Sequence, residues 1–109
     1  MPTTYEIIFQ YEATNALVDA YTVPAGTQHV VSTINICNFS GGSESIIIKI
    51  AKSGAADTNA HYIYPDINCD PNDTFQATAG FTLNVGDVVR IQASANNAIA
   101  INFFGSTTT

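Results

Sequence analysis

The residues most able to do chemistry lie at 66–73, DINCDPND, where Asp66, Asn68, Asp70 and Asn72 place oxygen-bearing side chains at alternate positions. Such spacing opens a calcium loop, because a hard cation collects several oxygen ligands. Pro71, however, stands where that loop needs glycine, and Ala77 occupies the position of the bidentate carboxylate, so the stretch reads as a solvated turn. Asp57 and Asp87 are the other carboxylates that converging loops of a sandwich could bring to a cation. His29 and His61 could serve as bases only with a nucleophile and an orienting group in hydrogen-bond reach. Neither lies in a nucleophile motif and GxSxG is absent, so both read as structural or surface histidines. Glu6, Glu12, Asp19, Glu44, Asp57 and Asp87 form no legible pair for glycoside cleavage, which depends on separation in space. Cys37 and Cys69 belong to no CxxC or Cys/His cluster and read as small, reduced, buried thiols. Tyr62 and Tyr64, at one strand parity beside His61, could stack a sugar ring, although alternate aromatics more commonly face a buried layer. The triplets Asn38-Phe39-Ser40 and Asn72-Asp73-Thr74 fit the glycosylation pattern without a secretory signal to give it meaning. No catalytic residue, metal ligand or cofactor site is assigned, and the chain is not expected to be an enzyme.

Composition points the same way. A chain of 109 residues fits one domain, 1–109, with one core. Hydrophobic residues make up 46% and charged residues only 11%, so the surface must be built from Thr, Ser, Asn, Gln and Gly, which are cheap to desolvate at a contact. The net charge is −6, and Lys49, Lys52 and Arg90 are the only basic side chains. They form no basic stripe, which excludes phosphate-driven nucleic-acid binding and electrostatic docking to anionic membranes. No apolar run is long enough to span a bilayer, and the N-terminus lacks the pattern of a secretory leader. Synthesis in a cytoplasm, starting at or near Met1, is the expectation.

The elements that would position these residues are strands. Residues 4–11 alternate with Tyr5, Ile7, Phe9 and Tyr11 on the face expected to be buried, and residues 16–23 form a second strand. Pro24 is placed at the second position of a turn with Gly26 in the left-handed region. The long strand that follows puts Val30, Ile34 and Ile36 on one face, with Ser32 as the exception, and His29, Val31, Thr33, Asn35 and Cys37 on the other. Ser40-Gly41-Gly42-Ser43 predicts a hairpin into strand 44–51. A loop at 52–59 leads to strand 61–67, which Pro65 confines to an edge. Residues 73–78 form a sixth strand broken by Gly80, and 81–83 anchor a crossing segment. Strand 87–95 buries Val89, Ile91 and Ala93, strand 98–104 buries Ile99, Ile101 and Phe103, and Asn96-Asn97 predicts the hairpin between them. Residues 105–109 read as a frayed tail or contact arm. The expected fold is all-β: a single-domain antiparallel β-sandwich of about eight strands, jelly-roll or immunoglobulin-like.

Residues 17–26 (LVDAYTVPAG), 34–38 (INICN), 59–64 (NAHYIY), 81–87 (FTLNVGD) and 102–105 (NFFG) resemble the small all-β virion proteins of tailed bacteriophages, particularly those of cyanobacterial and marine hosts. That resemblance implies a virion structural protein of the capsid decoration (cement) type, made in the host cytoplasm and carried on the capsid exterior. It implies a homotrimer that bridges subunits of the major capsid protein, with no cofactor, nucleic acid or membrane as partner. The alternative is a tail, baseplate or fibre component that binds a host polysaccharide. The assembly contacts expected are Tyr5, Ile7, Phe9, Tyr11, Ile101, Phe103 and Phe104, with arms at 1–14 and 105–109.

Overall fold

The computed structural model describes residues 2–109, and eight strands dominate it. They are β1 (Thr3–Glu12), β2 (Val18–Thr22), β3 (Gln28–Asn38), β4 (Glu44–Ala51), β5 (Tyr62–Cys69), β6 (Asp73–Leu83), β7 (Val88–Ala93) and β8 (Ile99–Thr108). Two short 3-10 turns, Lys52–Gly54 and Asn59–His61, interrupt the connection between β4 and β5. One sheet has the order β1-β8-β3-β6 and will be called sheet A; the other, sheet B, has the order β2-β7-β4-β5. All pairs are antiparallel, and β1 with β8, β2 with β7, β3 with β6 and β4 with β5 are the legs of one long hairpin bent at residues 52–61. Folding that hairpin over itself gives the jelly-roll arrangement, which resolves the two sandwich topologies left open by the sequence.

This topology overturns both expected hairpins. The Ser40–Ser43 segment leads from β3 in sheet A to β4 in sheet B, and Asn96-Asn97 leads from β7 in sheet B to β8 in sheet A. Neither Gly41 nor Gly42 has a positive φ; the bend is instead held by Asn38, whose fully buried amide donates to the carbonyls of Gly42 (2.8 Å) and Cys69 (3.1 Å) and accepts from Ser40 N and Oγ. The Pro24 turn exists, with Gly26 at φ +73°, but Thr27 N donates to Pro24 O, so proline stands at the turn's first position. Residues 105–108 are not a tail: β8 continues through them, paired with β1 on one side and β3 on the other. β6 likewise runs through Gly80 as one strand.

Burial follows the alternation where the strands are regular. Val89, Ile91, Ala93, Ile99, Ile101 and Phe103 are buried as expected, with Ile34, Ile36, Ile46 and Ile48 facing them across the sandwich. Each such side chain stabilises the fold by roughly 1.5–3 kcal/mol. β5 with Pro65 lies at an edge of sheet B, as its missing backbone donor requires.

The alternation breaks along one line across sheet A. β1 inserts an extra residue, Ile8, between Ile7 (opposite Phe104) and Phe9 (opposite Phe103). β3 inserts Ser32 between Val31 (opposite Gly105) and Thr33 (opposite Phe104), and β6 spends Ala79 and Gly80 at the same level. A one-residue bulge shifts side-chain parity by one, so β1 and β3 exchange faces there, while β6, which inserts two residues, and the unbroken β8 keep theirs. Val31 and His29 are therefore buried and Val30 is exposed, the reverse of the assignment that one unbroken period gives. In β1, Phe9 and Tyr11 turn toward the core while Tyr5 and Ile7 turn outward.

Candidate assembly surface

Residues directly opposite in an antiparallel pair share a face, so the register assigns the outer surface of each sheet. On sheet A, the outward row nearest the crease joins Ile7 of β1, Phe104 of β8 and Thr33 of β3; the next joins Tyr5, Ser106 and Val30. The remaining outward positions are Thr3, Gln10 and Glu12 of β1, Ala100, Asn102 and Thr108 of β8, Asn35 and Cys37 of β3, and Thr74, Gln76, Thr78 and Thr82 of β6. Glu12 is the only charged side chain among them. Tyr5 is 86% exposed, Ile7 50% and Val30 45%, which gives this sparsely charged face an apolar corner. A shallow groove of about 390 Å³ lies at that corner, lined by Tyr5, Glu6, Ile7, Ser32, Phe104 and Gly105.

The crease beneath the groove is built, not incidental. A Cβ on Gly105 would stand 2.0 Å from Val30 O, so only glycine lets β3 pass this close to β8. Ser32 Oγ donates to Phe104 O at 3.2 Å and holds the bulge in place. On the inner side of the same region His29 is buried between the sheets, 2.6 Å from Tyr21 Oη through Nε2 and 2.9 Å from Thr107 Oγ1 through Nδ1. Burial lowers the His29 pKa below its ordinary value, partly opposed by Glu6, so the ring is neutral, one nitrogen donating and the other accepting. Burial, reinforced by Glu6, raises that of Tyr21. The Tyr21 ring stacks on Phe9 at 4.7 Å, and Phe9 meets Phe103 at 4.5 Å, so β2 of sheet B is stitched to β1, β3 and β8 of sheet A.

Sheet B is finished differently. Asp19, Arg90, Lys49 and Tyr62 lie opposite one another in a row across β2, β7, β4 and β5. Arg90 Nε donates to Asp19 at 2.8 Å, and Lys49 Nζ donates to Asp57 at 2.6 Å while standing 4.2 Å over the Tyr62 ring. The Lys49 hydrogen bond, with the charges of Lys49, Arg90 and His61, holds the Asp57 carboxyl below its usual range. Asp57, in the connection between β4 and β5, thus joins this row through Lys49.

The expected contact residues thus divide. Tyr5 and Ile7 are exposed on sheet A and Phe104 is half-buried beside them. Phe9 and Tyr11 pack against the core, and Ile101 and Phe103 are fully buried, because β8 is an inner strand of sheet A and its odd positions face the core; these two side chains are not available to a partner. Of the two expected arms, β1 and residues 105–108 are sheet strands, and Met1 lies outside the described residues. Val30 is the surface residue that sequence reasoning missed; the signal for it was Ser32, the polar break in the apolar parity.

The other candidates do not assemble. The register shift between Ile48 and Lys49 sets Tyr64 opposite inward Ile48 and Tyr62 opposite outward Lys49, so the two tyrosines face opposite sides of the sheet and make no platform. Among the described residues no three His, Cys, Asp or Glu side chains converge on a metal position. Asp87 is occupied in the fold, accepting from Ser53 N and Asn84 N. Cys37 and Cys69 are free thiols, and burial, with Asp73, Asp70 and Cys37 nearby, raises the Cys69 pKa. No helix is long and apolar enough to cross a membrane among the described residues.

No protein-family model matches the chain, and no curated protein matches it. Among solved structures it is similar to a pentameric capsid protein isolated from metagenomic phage sequences, at 12% identity over 98% of this chain and 59% of that one, with a TM-score of 0.30. A second structure described as a pentameric capsid protein from metagenomic phage sequences gives 11% identity over 98% and 62% of the chains, with a TM-score of 0.29. The chain therefore spans about three fifths of the length of these structures.

Proposed function

We propose that this protein is a structural subunit of a phage virion that works by binding through sheet A, as a decoration (cement) protein on the exterior of the expanded head. The observation that carries this reading is the outer face of sheet A, whose outward register positions include one charged side chain, Glu12, with Glu6 beside the groove, on a protein of net charge −6. A face of Thr, Ser, Asn and Gln with an aromatic corner costs little to desolvate and makes many weak polar contacts. The sequence resemblance to tailed-phage virion proteins in residues 17–26 and 81–87 supplies the class of partner, the major capsid protein of a phage of cyanobacterial or marine hosts. Binding the assembled shell and not its free subunits stabilises the shell by mass action. A homotrimer would place three such faces around a local threefold position. We propose a non-enzymatic role; in its support, both ring nitrogens of His29 are engaged within the fold. Polysaccharide binding on a tail is the weaker reading, because Tyr62 and Tyr64 are turned apart.

The test is co-sedimentation of the purified chain with expanded and unexpanded phage capsids. Saturable binding to expanded shells alone, with a rise in their disruption temperature, is the expected result. Absence of binding to either shell overturns the reading.

A further inference from the structure

We infer that the crease groove on sheet A receives the Tyr5 side chain of a second copy of this chain. The inference rests on the assembly reading above and specifies one contact within it. Tyr5 projects from β1, 86% exposed, on a strand segment whose residues 3–7 are all exposed. An aromatic ring left in water forgoes the large apolar contact that makes tyrosine a common interface anchor. Beside it lies the groove of about 390 Å³, walled by Ile7 and Phe104 and floored where Gly105 lets β3 close on β8. That floor is fixed before any partner arrives, by the Gly105 approach and the Ser32 hydrogen bond to Phe104 O, so little ordering cost is added on binding.

Charge selects the occupant. Two copies of a −6 chain repel unless they meet where charge is sparse, and sheet A offers only Glu6 at the groove and Glu12 at the far end of β1, where sheet B has its ion-pair row. Knob and groove also occupy the same patch, so a symmetric arrangement of identical chains can satisfy both at once. The strand that carries Tyr5 is an edge of sheet A without proline or lysine, and the Ile8 bulge and Glu12 lie beyond its Thr3–Ile7 segment.

The experiment uses the full chain alone. Light scattering and sedimentation velocity on wild type, Tyr5→Ala and Tyr5→Phe measure self-association, and Tyr5→p-benzoylphenylalanine is photolysed to map the contact. The expected result is an oligomer, an at least tenfold higher dissociation constant for Tyr5→Ala, near-wild-type association for Tyr5→Phe, and intermolecular crosslinks to Ile7, Ser32 or Phe104. Unchanged thermal unfolding of the Tyr5→Ala monomer at high dilution shows that the fold is intact. A chain that stays monomeric, an oligomer indifferent to Tyr5→Ala, or crosslinks confined to sheet B each overturns the inference. A Tyr5-dependent oligomer that ignores capsids upholds it while overturning the capsid reading, and shell binding by a chain monomeric at every concentration does the opposite.

Discussion

The two sheets share one core and differ in how they meet water. Sheet B is crossed by the row Asp19, Arg90, Lys49 and Tyr62, which contains two of the chain's three basic residues and is joined by Asp57 through Lys49. Its edges are guarded, by Pro65 in β5 and by the shortness of five-residue β2. Sheet A is crossed at a similar level by bulges, from Ile8 through Ser32 to Gly80. Its edge strands, of ten and eleven residues, contain neither proline nor lysine. A chain with so few charges has placed its ion pairs on one face, and the other is left suited to protein contact. That asymmetry separates a face whose charges are paired within the fold from the one we propose meets a partner.

The strongest way to break the comparison is to remove the crease. Gly105→Ala puts a methyl group 2.0 Å from the Val30 carbonyl oxygen, a backbone atom that cannot swing aside. Overpacking commonly costs about 1–3 kcal/mol, and a clash with backbone belongs at the upper end, so a loss of about 3 kcal/mol is expected in denaturant unfolding. A change near zero would mean that β3 and β8 do not approach as described. Gly26→Ala, at a turn with φ +73° and no atom within contact distance of its missing Cβ, tests backbone strain without a clash and should cost less.

The next contrast is between faces. Ser106 lies between Tyr5 and Val30 on the outer side of sheet A, and Asn68 is an exposed outward residue of β5 on sheet B. Ser106→Glu should weaken self-association at least tenfold, about 1.4 kcal/mol, by setting like charges against each other. Asn68→Glu should leave association unchanged, and both variants should keep folding stability within about 0.5 kcal/mol. Equal effects in analytical ultracentrifugation would remove the distinction between the sheets.

What the sequence revealed follows from which interactions are local. Alternation in 87–95 and 98–104 located the buried faces of β7 and β8, because period two is a property of one strand. Pairing is not: the partner of β1 lies at the other end of the chain, and the glycines at 41–42 and asparagines at 96–97 serve sheet-to-sheet crossings as well as they would serve hairpins. The bulges hid half of the contact surface. A strict period assigns Tyr5 and Ile7 to the same face as Phe9, and only the pairing of Ile7 with Phe104 and Phe9 with Phe103 shows that Ile8 separates them. Small polar residues promise no core, so 105–109 reads as a frayed tail or contact arm, whereas Gly105 is required by the close passage of β3 and Thr107 by His29.

Acid should act on the two regions in separate windows. The folded pKa of His29 lies below its ordinary value of 6.5, so between the two the unfolded chain binds more protons than the folded one. The stability due to the neutral stitch is therefore complete above the ordinary value, falls as pH drops through the window, and levels off below the folded value. Asp57, also lowered but from 3.8, holds its contribution until pH reaches that ordinary value and loses it as pH falls further toward the folded one. Denaturant midpoints for wild type should decline first in the histidine window, and His29→Gln should abolish that slope while leaving the later one. A wild-type profile flat until the carboxylate range would mean that His29 is not buried as a neutral ring.

The smallest effect expected is on the outer row of sheet B. Asp19 is 60% exposed on its side chain, so its bond to Arg90 gains little Coulomb energy against water, and exposed pairs commonly contribute about 0–1 kcal/mol. Arg90 also keeps Asp57 within its electrostatic reach after the substitution, which limits the cost of losing one neighbour. Asp19→Asn should therefore lower unfolding stability by about 0.5 kcal/mol, and by less in high salt, where exposed charges are screened. A loss of about 2 kcal/mol that salt does not diminish would show that the row acts as a desolvated network, since Arg90 is itself largely buried, bonds Asp19 through Nε, and keeps Nη1 buried without a hydrogen-bond partner. In that outcome sheet B is held in register by its charges and sheet A by its crease, and the contrast between the faces extends from how they meet partners to how each sheet is fixed.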